Sequence, residues 1–168
     1  TKLVRAQRHA GTASVMSQSP LIPRDQVAHH AARAAELVGE IGPVPGVIGN
    51  ISEQAVHLLR EAAQRAFDVG AFNQAARHAS RELDLGTDDD VLGRELLLLR
   101  AQALVERRMF DAGFADAGDV LEAAVVAGDR GHEAVARRLL GVLHQRNGDL
   151  AAARQELGAS VDIFRELN

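Results

Sequence analysis

The last proline of this 168-residue chain is Pro45, and none follows it. Proline removes a backbone hydrogen-bond donor and clashes with the preceding helical turn, so a long proline-free stretch favours continuous helix. Hydrophobic residues make up 46% of the chain, enough for a sizeable core, yet aromatic residues make up only 3% and Trp and Tyr are absent. A core built mostly from Ala, Leu and Val lets helices approach one another closely. We therefore expect an all-α fold.

Six consecutive helices are predicted after the last proline, because apolar residues there recur with the period of an α-helix. They are expected at 52–69, 72–84, 89–107, 110–127, 130–147 and 150–167. The connections between them are so short that consecutive helices must pack as antiparallel neighbours.

The N-terminal part of the chain is predicted to be less regular. Residues 1–24 are expected to form a flexible lead-in, in which a short helix is followed by a Ser-rich, proline-bounded loop from Gly11 to Pro23. A linker helix is predicted from Asp25 to about Glu40. A Gly-Pro-Val-Pro-Gly segment then breaks the chain, so that the linker helix and the break together occupy residues 25–50.

The six later helices are predicted to form three repeats, at about 51–86, 87–128 and 129–168. The turn inside each helix pair has the same pattern: a turn residue, a large apolar residue two places later, and a small residue three places after that. In chain order these triplets are Gly70, Phe72 and Ala75; Arg108, Phe110 and Gly113; and Gly148, Leu150 and Ala153. We expect each large residue to fill the space between two helices, and each small one to let their backbones approach.

This pattern resembles the tetratricopeptide repeat, in which a Leu-Gly step in the first helix is followed by small and apolar residues in the second. Leu140-Gly141 match that step, and Ala62-Ala63 and Arg100-Ala101 occupy the same places less faithfully. The resemblance implies a right-handed α-solenoid of about three helix pairs, with the linker helix before them.

Repeats of nearly 40 residues also resemble those of large bacterial signalling ATPases. The resemblance rests on the linker Gly128-Asp129-Arg130, on the stretch Ile163 to Leu167, and on the segment from Val27 to Val44. It implies a parent protein with a nucleotide-binding module and either an adenylate cyclase or a helix-turn-helix domain. None of those motifs lies in this chain, so we expect no catalysis by the chain itself. The start at Thr1 and the absence of a polar capping helix after residue 167 suggest that further repeats exist in a longer protein.

Composition argues against several other functions. The net charge of −4 and the few aromatic residues disfavour nucleic-acid binding. No apolar run is long enough to span a membrane, no signal peptide is evident, and Cys is absent, so we expect a cytoplasmic protein. We expect no cofactor and no metal. His29 and His30 are neighbours that diverge on a helix, and Asp88 to Asp90 fit a helix N-terminus better than a Ca²⁺ loop.

The remaining hypothesis is recognition of a protein or peptide, or of other domains of the parent chain. In tetratricopeptide repeats, fixed positions of each first helix line the concave surface. Carried over by alignment, these are His57, Arg60, Gln64, Asp68, Gln102, Glu106, Arg138, Gln145 and Arg146. Two alternatives remain open: a ligand- or peptide-sensing regulatory module that controls an upstream ATPase or cyclase, and self-association through the uncapped repeat ends.

Overall fold

The computed structural model describes residues 1–86 and 89–167, and these form eight α-helices and no β-strand. The helices are α1 (Lys2–Ser17), α2 (Arg24–Ile41), α3 (Ile51–Asp68), α4 (Phe72–Leu85), α5 (Asp90–Glu106), α6 (Phe110–Ala127), α7 (Arg130–Asn147) and α8 (Leu150–Glu166). The predicted all-α class is confirmed over this part of the chain. The predicted repeat boundary at residue 87 lies outside the described residues.

Local signals explain why α3 to α8 begin and end within one residue of their predicted positions. The aspartates before α5, α7 and α8 act as N-caps: Asp89 accepts hydrogen bonds from the amides of Val91 and Leu92, and Asp129 and Asp149 each accept one from an amide of the first turn. Gly148 ends α7 in the left-handed conformation, with φ at 89°.

The chain divides into two compact units, Thr1–Asp88 and Asp89–Asn168. In the N-terminal unit, α1 packs on α2, α2 on α3 and α3 on α4, and α2 also contacts α4. Its core is dominated by alanines of α2, together with larger side chains such as Leu37 and Leu59. This sequential order of neighbours is consistent with a helical repeat.

The C-terminal unit has the same order of neighbours: α5 packs on α6, α6 on α7 and α7 on α8, while α5 also contacts α7. Its core includes Leu98, Val120 and Leu143. At the predicted Leu-Gly step, Leu140 is buried, and a β-carbon at Gly141 would lie 2.6 Å from Leu157 Cγ. Only glycine therefore allows α8 to approach α7 this closely.

The predicted loop from Gly11 to Pro23 was wrong over its first seven residues, because α1 continues to Ser17. Glycine and serine favour turns as isolated residues, but helices in proteins owe most of their stability to tertiary packing. Here Ala6 and Ala13 are buried in contact with the remainder of the unit. As a result α2, predicted as a linker helix, lies between α1 and α3 instead of standing alone.

The expectation that Leu150 fills the space between two helices was also wrong. Phe72 and Phe110, at the equivalent places, are half-buried, and Phe72 packs edge-on against Phe67 with ring centroids 5.4 Å apart. Leu150 is 67% exposed. The small residues three places later, Ala75, Gly113 and Ala153, are all buried, as predicted.

Arg108 is the non-glycine residue with positive φ, at 59°, in the described part of the chain. It occupies the turn position that Gly70 and Gly148 hold elsewhere, and the left-handed conformation costs a residue with a β-carbon about 1–2 kcal/mol. We expect Arg108→Gly to raise the free energy of unfolding by about 0.5–1 kcal/mol, since the flexibility of glycine in the unfolded chain offsets part of the gain. Urea unfolding followed by circular dichroism measures this, and Gly148→Ala, the reverse change at an equivalent turn, should be destabilising. An unchanged midpoint for Arg108→Gly would contradict the strain argument.

No helix in the described ranges, 1–86 and 89–167, has both the length and the apolar character needed to cross a membrane.

Candidate interaction surface

Each of the three predicted helix pairs contains an arginine of the first helix bonded to a carboxylate of the second. These are Arg60 with Glu82, Arg100 with Asp116, and Arg137 with Glu156. The Arg100 pair is bidentate, with distances of 2.8 and 2.7 Å, the geometry that makes guanidinium–carboxylate pairs specific. Arg100, at the position aligned with the leucine of the predicted Leu-Gly step, thus has a partner in the second helix of its pair. Sequence reasoning missed these pairs, because the partners are far apart in the chain.

Glu82 stands out among these carboxylates because its side chain is fully buried. Arg60 donates from Nε at 3.3 Å and from Nη2 at 3.2 Å to the same oxygen, Oε1. The other oxygen, Oε2, accepts no hydrogen bond from the part of the chain that the structure describes. Burial raises the pKa of Glu82 to about 7, although Arg60 opposes this shift.

Four of the predicted groove residues lie on α3. His57 is exposed, and its Nδ1 lies 3.4 Å from a carboxylate oxygen of Glu61. Gln64 and Asp68 are exposed and bonded to each other, with Gln64 Nε2 donating to Asp68 Oδ1 at 2.8 Å. Arg60 is half-buried and engaged by Glu82. Of the four, Arg60 therefore has a structural role that the alignment did not show.

The other five predicted groove residues lie on α5 and α7. Glu106 and Arg146 form an ion pair of 2.9 Å that links the C-terminal ends of these two helices. Arg138 and Gln145 are exposed on α7, and Gln102 on α5 is half-buried. In the C-terminal unit the structure thus brings Glu106 and Arg146 together and leaves Arg138 and Gln145 open to solvent.

A pocket of about 720 Å³ in the N-terminal unit was not predicted from the sequence. Small residues of α1, among them Ala10, Gly11 and Ser14, form one wall, and the start of α3 forms another. Ile48 and Leu58 contribute apolar surface. The full lining comprises Ala10, Gly11, Ala13, Ser14, Ser17, Val27, Gly46, Ile48, Asn50, Ile51, Glu53, Gln54, His57 and Leu58. Such a cavity, mostly apolar with a few polar groups, has the size and composition of small-molecule and side-chain binding sites.

Of the nine predicted groove residues, His57 is the one that lines this pocket. The α1 wall was hidden from sequence reasoning, because residues 11–23 were expected to form a loop. The signal that could have revealed it is the spacing of Ala6, Ala10 and Ala13, which places small residues on one face of a helix.

The histidines of the N-terminal unit are clustered more closely than the sequence suggested. His9 of α1 lies against His30 of α2, and His29 lies 3.2 Å from a guanidinium nitrogen of Arg81. Arg81 also bonds Glu36, which connects α4 to α2. Within residues 1–86 and 89–167, no group of three or more His, Asp or Glu residues is arranged to hold a metal ion. His144, by contrast, packs edge-on against Phe114, with ring centroids 4.8 Å apart.

Comparisons of the chain with protein-family models, with curated proteins and with solved structures found no match.

Proposed function

We propose that this chain is a non-catalytic interaction module that binds a protein or peptide segment, and that it does so as a tetratricopeptide-like α-solenoid within a larger cytoplasmic signalling protein. The pocket between α1 and α3 is the observation that carries the proposal. Two observations support the repeat type: each helix packs on the next within each unit, and α8 approaches closely at Gly141.

The pocket favours a peptide that presents an apolar side chain. Its walls are mostly Ala, Gly, Ile, Leu and Val, so burial of an apolar group is its main source of binding energy. Glu53, Gln54, Asn50 and His57 also line it and offer hydrogen bonds that fix the orientation of a peptide backbone. On α7, in the C-terminal unit, Arg138 and Gln145 are exposed and offer a separate polar surface.

The test uses peptides selected from a random phage-displayed library panned on the intact chain. The most enriched peptide is synthesised, and its Kd is measured by calorimetry for the wild type and for Ser14→Trp. Ser14 is exposed and lines the pocket, so the indole fills the pocket without disturbing the core. We expect the Kd to rise by at least about tenfold, equivalent to about 1.4 kcal/mol.

Two control variants decide where the peptide binds. Ala123→Trp adds the same side chain at an exposed site of α6 and should leave the Kd unchanged. Joint replacement of Arg138 and Gln145 by Ala tests the α7 surface. If no peptide is enriched, or if all variants bind equally well, the proposal fails.

The pocket also favours a second candidate, a regulatory module that senses a small ligand for an upstream ATPase or cyclase. A volume of 720 Å³ accommodates a small apolar molecule. A screen of small apolar compounds for a raised Tm discriminates this function, because a ligand that binds only the folded state raises the Tm. The increase should disappear in Ser14→Trp.

Self-association is a further candidate, supported by exposed apolar side chains on the last helix and at its C-cap. Leu150, Val161 and Leu167 are each about half exposed or more. Sedimentation equilibrium over a range of concentrations would detect it, and replacing Val161 by a charged residue should abolish it.

A further inference from the structure

The contact between α1 and α2 contains a pair of histidines that face each other directly. Nδ1 of His9 lies 2.8 Å from Nδ1 of His30, and the two ring centroids are 5.0 Å apart. One ring must donate from Nδ1 and the other must accept there, so at least one of the two imidazoles has to be neutral. His29 lies close to both, with ring centroids 6.4 Å from His9 and 5.4 Å from His30.

The charged groups around this pair add to its sensitivity to protonation. Arg5 faces His9 from α1, and Arg33 and His29 face it from α2. From α4, Arg81 lies against His29. Within the described residues, neither His9 nor His30 donates to a carboxylate.

Two carboxylates lie near these histidines, and the charge of one of them, Glu36, opposes the lowering of the pKa of His29. Glu36 of α2 bonds Arg33 and Arg81. Asp25 lines the pocket that also contains His29, His30 and His78, and its negative charge acts to raise the pKa of His78.

Burial, followed by the charges of His30, His29, Arg33 and Arg5, lowers the pKa of His9 below its ordinary value of 6.5. The folded state therefore resists protonation at this position, and acidification favours a state in which α1 has left α2.

Helix α1 is held by contacts of the kind that a modest repulsion can overcome. Its buried side chains are Ala6 and Ala13, which remove little apolar surface from water. Its polar contacts to the rest of the unit include an exposed ion pair between Lys2 and Glu40 and a hydrogen bond from Gln7 to the carbonyl of Pro45. Exposed ion pairs contribute little. Segments held in this way undock before the core unfolds.

We infer that His9 and His30 form an acid-sensitive latch: protonation of both rings releases α1 from α2 and so removes one wall of the pocket. Release of α1 follows from the contacts of α1 alone, whereas its consequence for binding rests on the proposed function. Acidification would then switch the interaction site off.

Hydrogen exchange followed by mass spectrometry on the intact chain, without any ligand, tests the latch. Protection of the peptide covering Lys2–Ser17, corrected for the intrinsic exchange rate, is compared at about pH 7.5 and about pH 5.0, on either side of the usual histidine range. In the wild type we expect protection at the lower pH to decrease by at least about tenfold, equivalent to about 1.4 kcal/mol. Peptides of α5 to α8 in the same sample serve as the internal reference.

Three variants make the test specific. His9→Gln removes the ring whose burial opposes protonation, so protection of α1 should change by less than about threefold between the two pH values. His30→Gln removes the opposing ring but leaves His9 buried, so the decrease should be smaller than in the wild type. His144→Gln, which removes a histidine of α7 in the C-terminal unit, should behave like the wild type. Equal protection of wild-type α1 at both pH values would overturn the latch, as would a full decrease that persists in both glutamine variants.

The latch and the proposed function fail in distinguishable ways. If α1 undocks at low pH but a selected peptide binds equally well at both pH values, the latch stands and the pocket is not the peptide site. If the peptide binds but α1 remains protected at low pH, the proposed function stands and the latch is wrong.

Discussion

Replacing Arg60 with Ala should lower the free energy of unfolding by about 2–3 kcal/mol at about pH 8.5 and by clearly less at about pH 5. The reason is Glu82, whose fully buried carboxylate is bonded by Arg60 through Oε1. Removing one partner of a buried pair leaves an uncompensated charge, which typically costs about 3–5 kcal/mol. We expect less here, because Arg60 itself is 39% exposed and its charge is partly screened by solvent.

The pH dependence follows from the raised pKa of Glu82. Because its folded pKa of about 7 lies above the ordinary value of 4.5, the stability linked to its protonation is fully present below pH 4.5 and is lost as the pH rises through about 7. Three histidines change the free energy of unfolding with pH in the opposite direction. Burial, as the largest cause, lowers the pKa of His9, His29 and His78, so their contribution is lost as the pH falls below 6.5. A difference between a variant and the wild type at each pH cancels the histidine contribution.

Urea unfolding at both pH values, followed by circular dichroism, measures the Arg60→Ala effect, and hydrogen exchange of the α3 and α4 peptides shows where the loss occurs. The matched control is the double variant Arg60→Ala with Glu82→Leu, which removes both charges and should recover most of the stability at high pH. Equal losses for Arg60→Ala at both pH values would show that Glu82 is not the group that titrates.

Gly141→Ala is expected to destabilise the C-terminal unit by about 1–3 kcal/mol, the typical cost of overpacking. The added β-carbon would lie 2.6 Å from Leu157 Cγ, 2.9 Å from its Cδ2 and 3.2 Å from its backbone nitrogen. The side chain can rotate away from the first two contacts, but the backbone contact requires α8 to move away from α7. This cost must also exceed the intrinsic helix preference of alanine over glycine, about 1 kcal/mol in the opposite direction.

The test depends on whether Gly141→Ala lowers or raises the free energy of unfolding, and Gly158→Ala provides the control. Gly158 lies inside α8, and a β-carbon there would meet nothing within 4 Å. Gly158→Ala should therefore raise the free energy of unfolding by about 0.5–1 kcal/mol. Urea midpoints of the two variants should shift in opposite directions. Stabilisation by both would mean that α7 and α8 are not in the close contact described.

Helix positions could be predicted from the sequence because their signals are local. Asp129 and Asp149 are followed within three residues by the amides they cap, and Gly148 ends its helix through its own backbone conformation. The same locality explains the error at α1. Gly11 and the nearby serines favour a turn when considered alone, yet the helix persists because Ala13 is buried.

The candidate site could be predicted only in part. The alignment indicated residues on the first helix of each pair, and it included His57, which lines the pocket. It also included Arg60, which donates a hydrogen bond to Glu82, 22 residues later in the chain. No signal near Arg60 in the sequence indicates that contact. The pocket itself depends on α1, a helix that the local signals did not predict in full.

The sequence by itself determined that the described chain is helical and where six of its helices begin and end, because caps, left-handed glycines and apolar periodicity act within a few residues. Only the tertiary structure decided which side chains meet across helices: His9 with His30, Arg60 with Glu82, and Gly141 with Leu157. Those contacts depend on the distance and rotation between packed helices, which are set by the summed fit of many side chains and by no short stretch of residues.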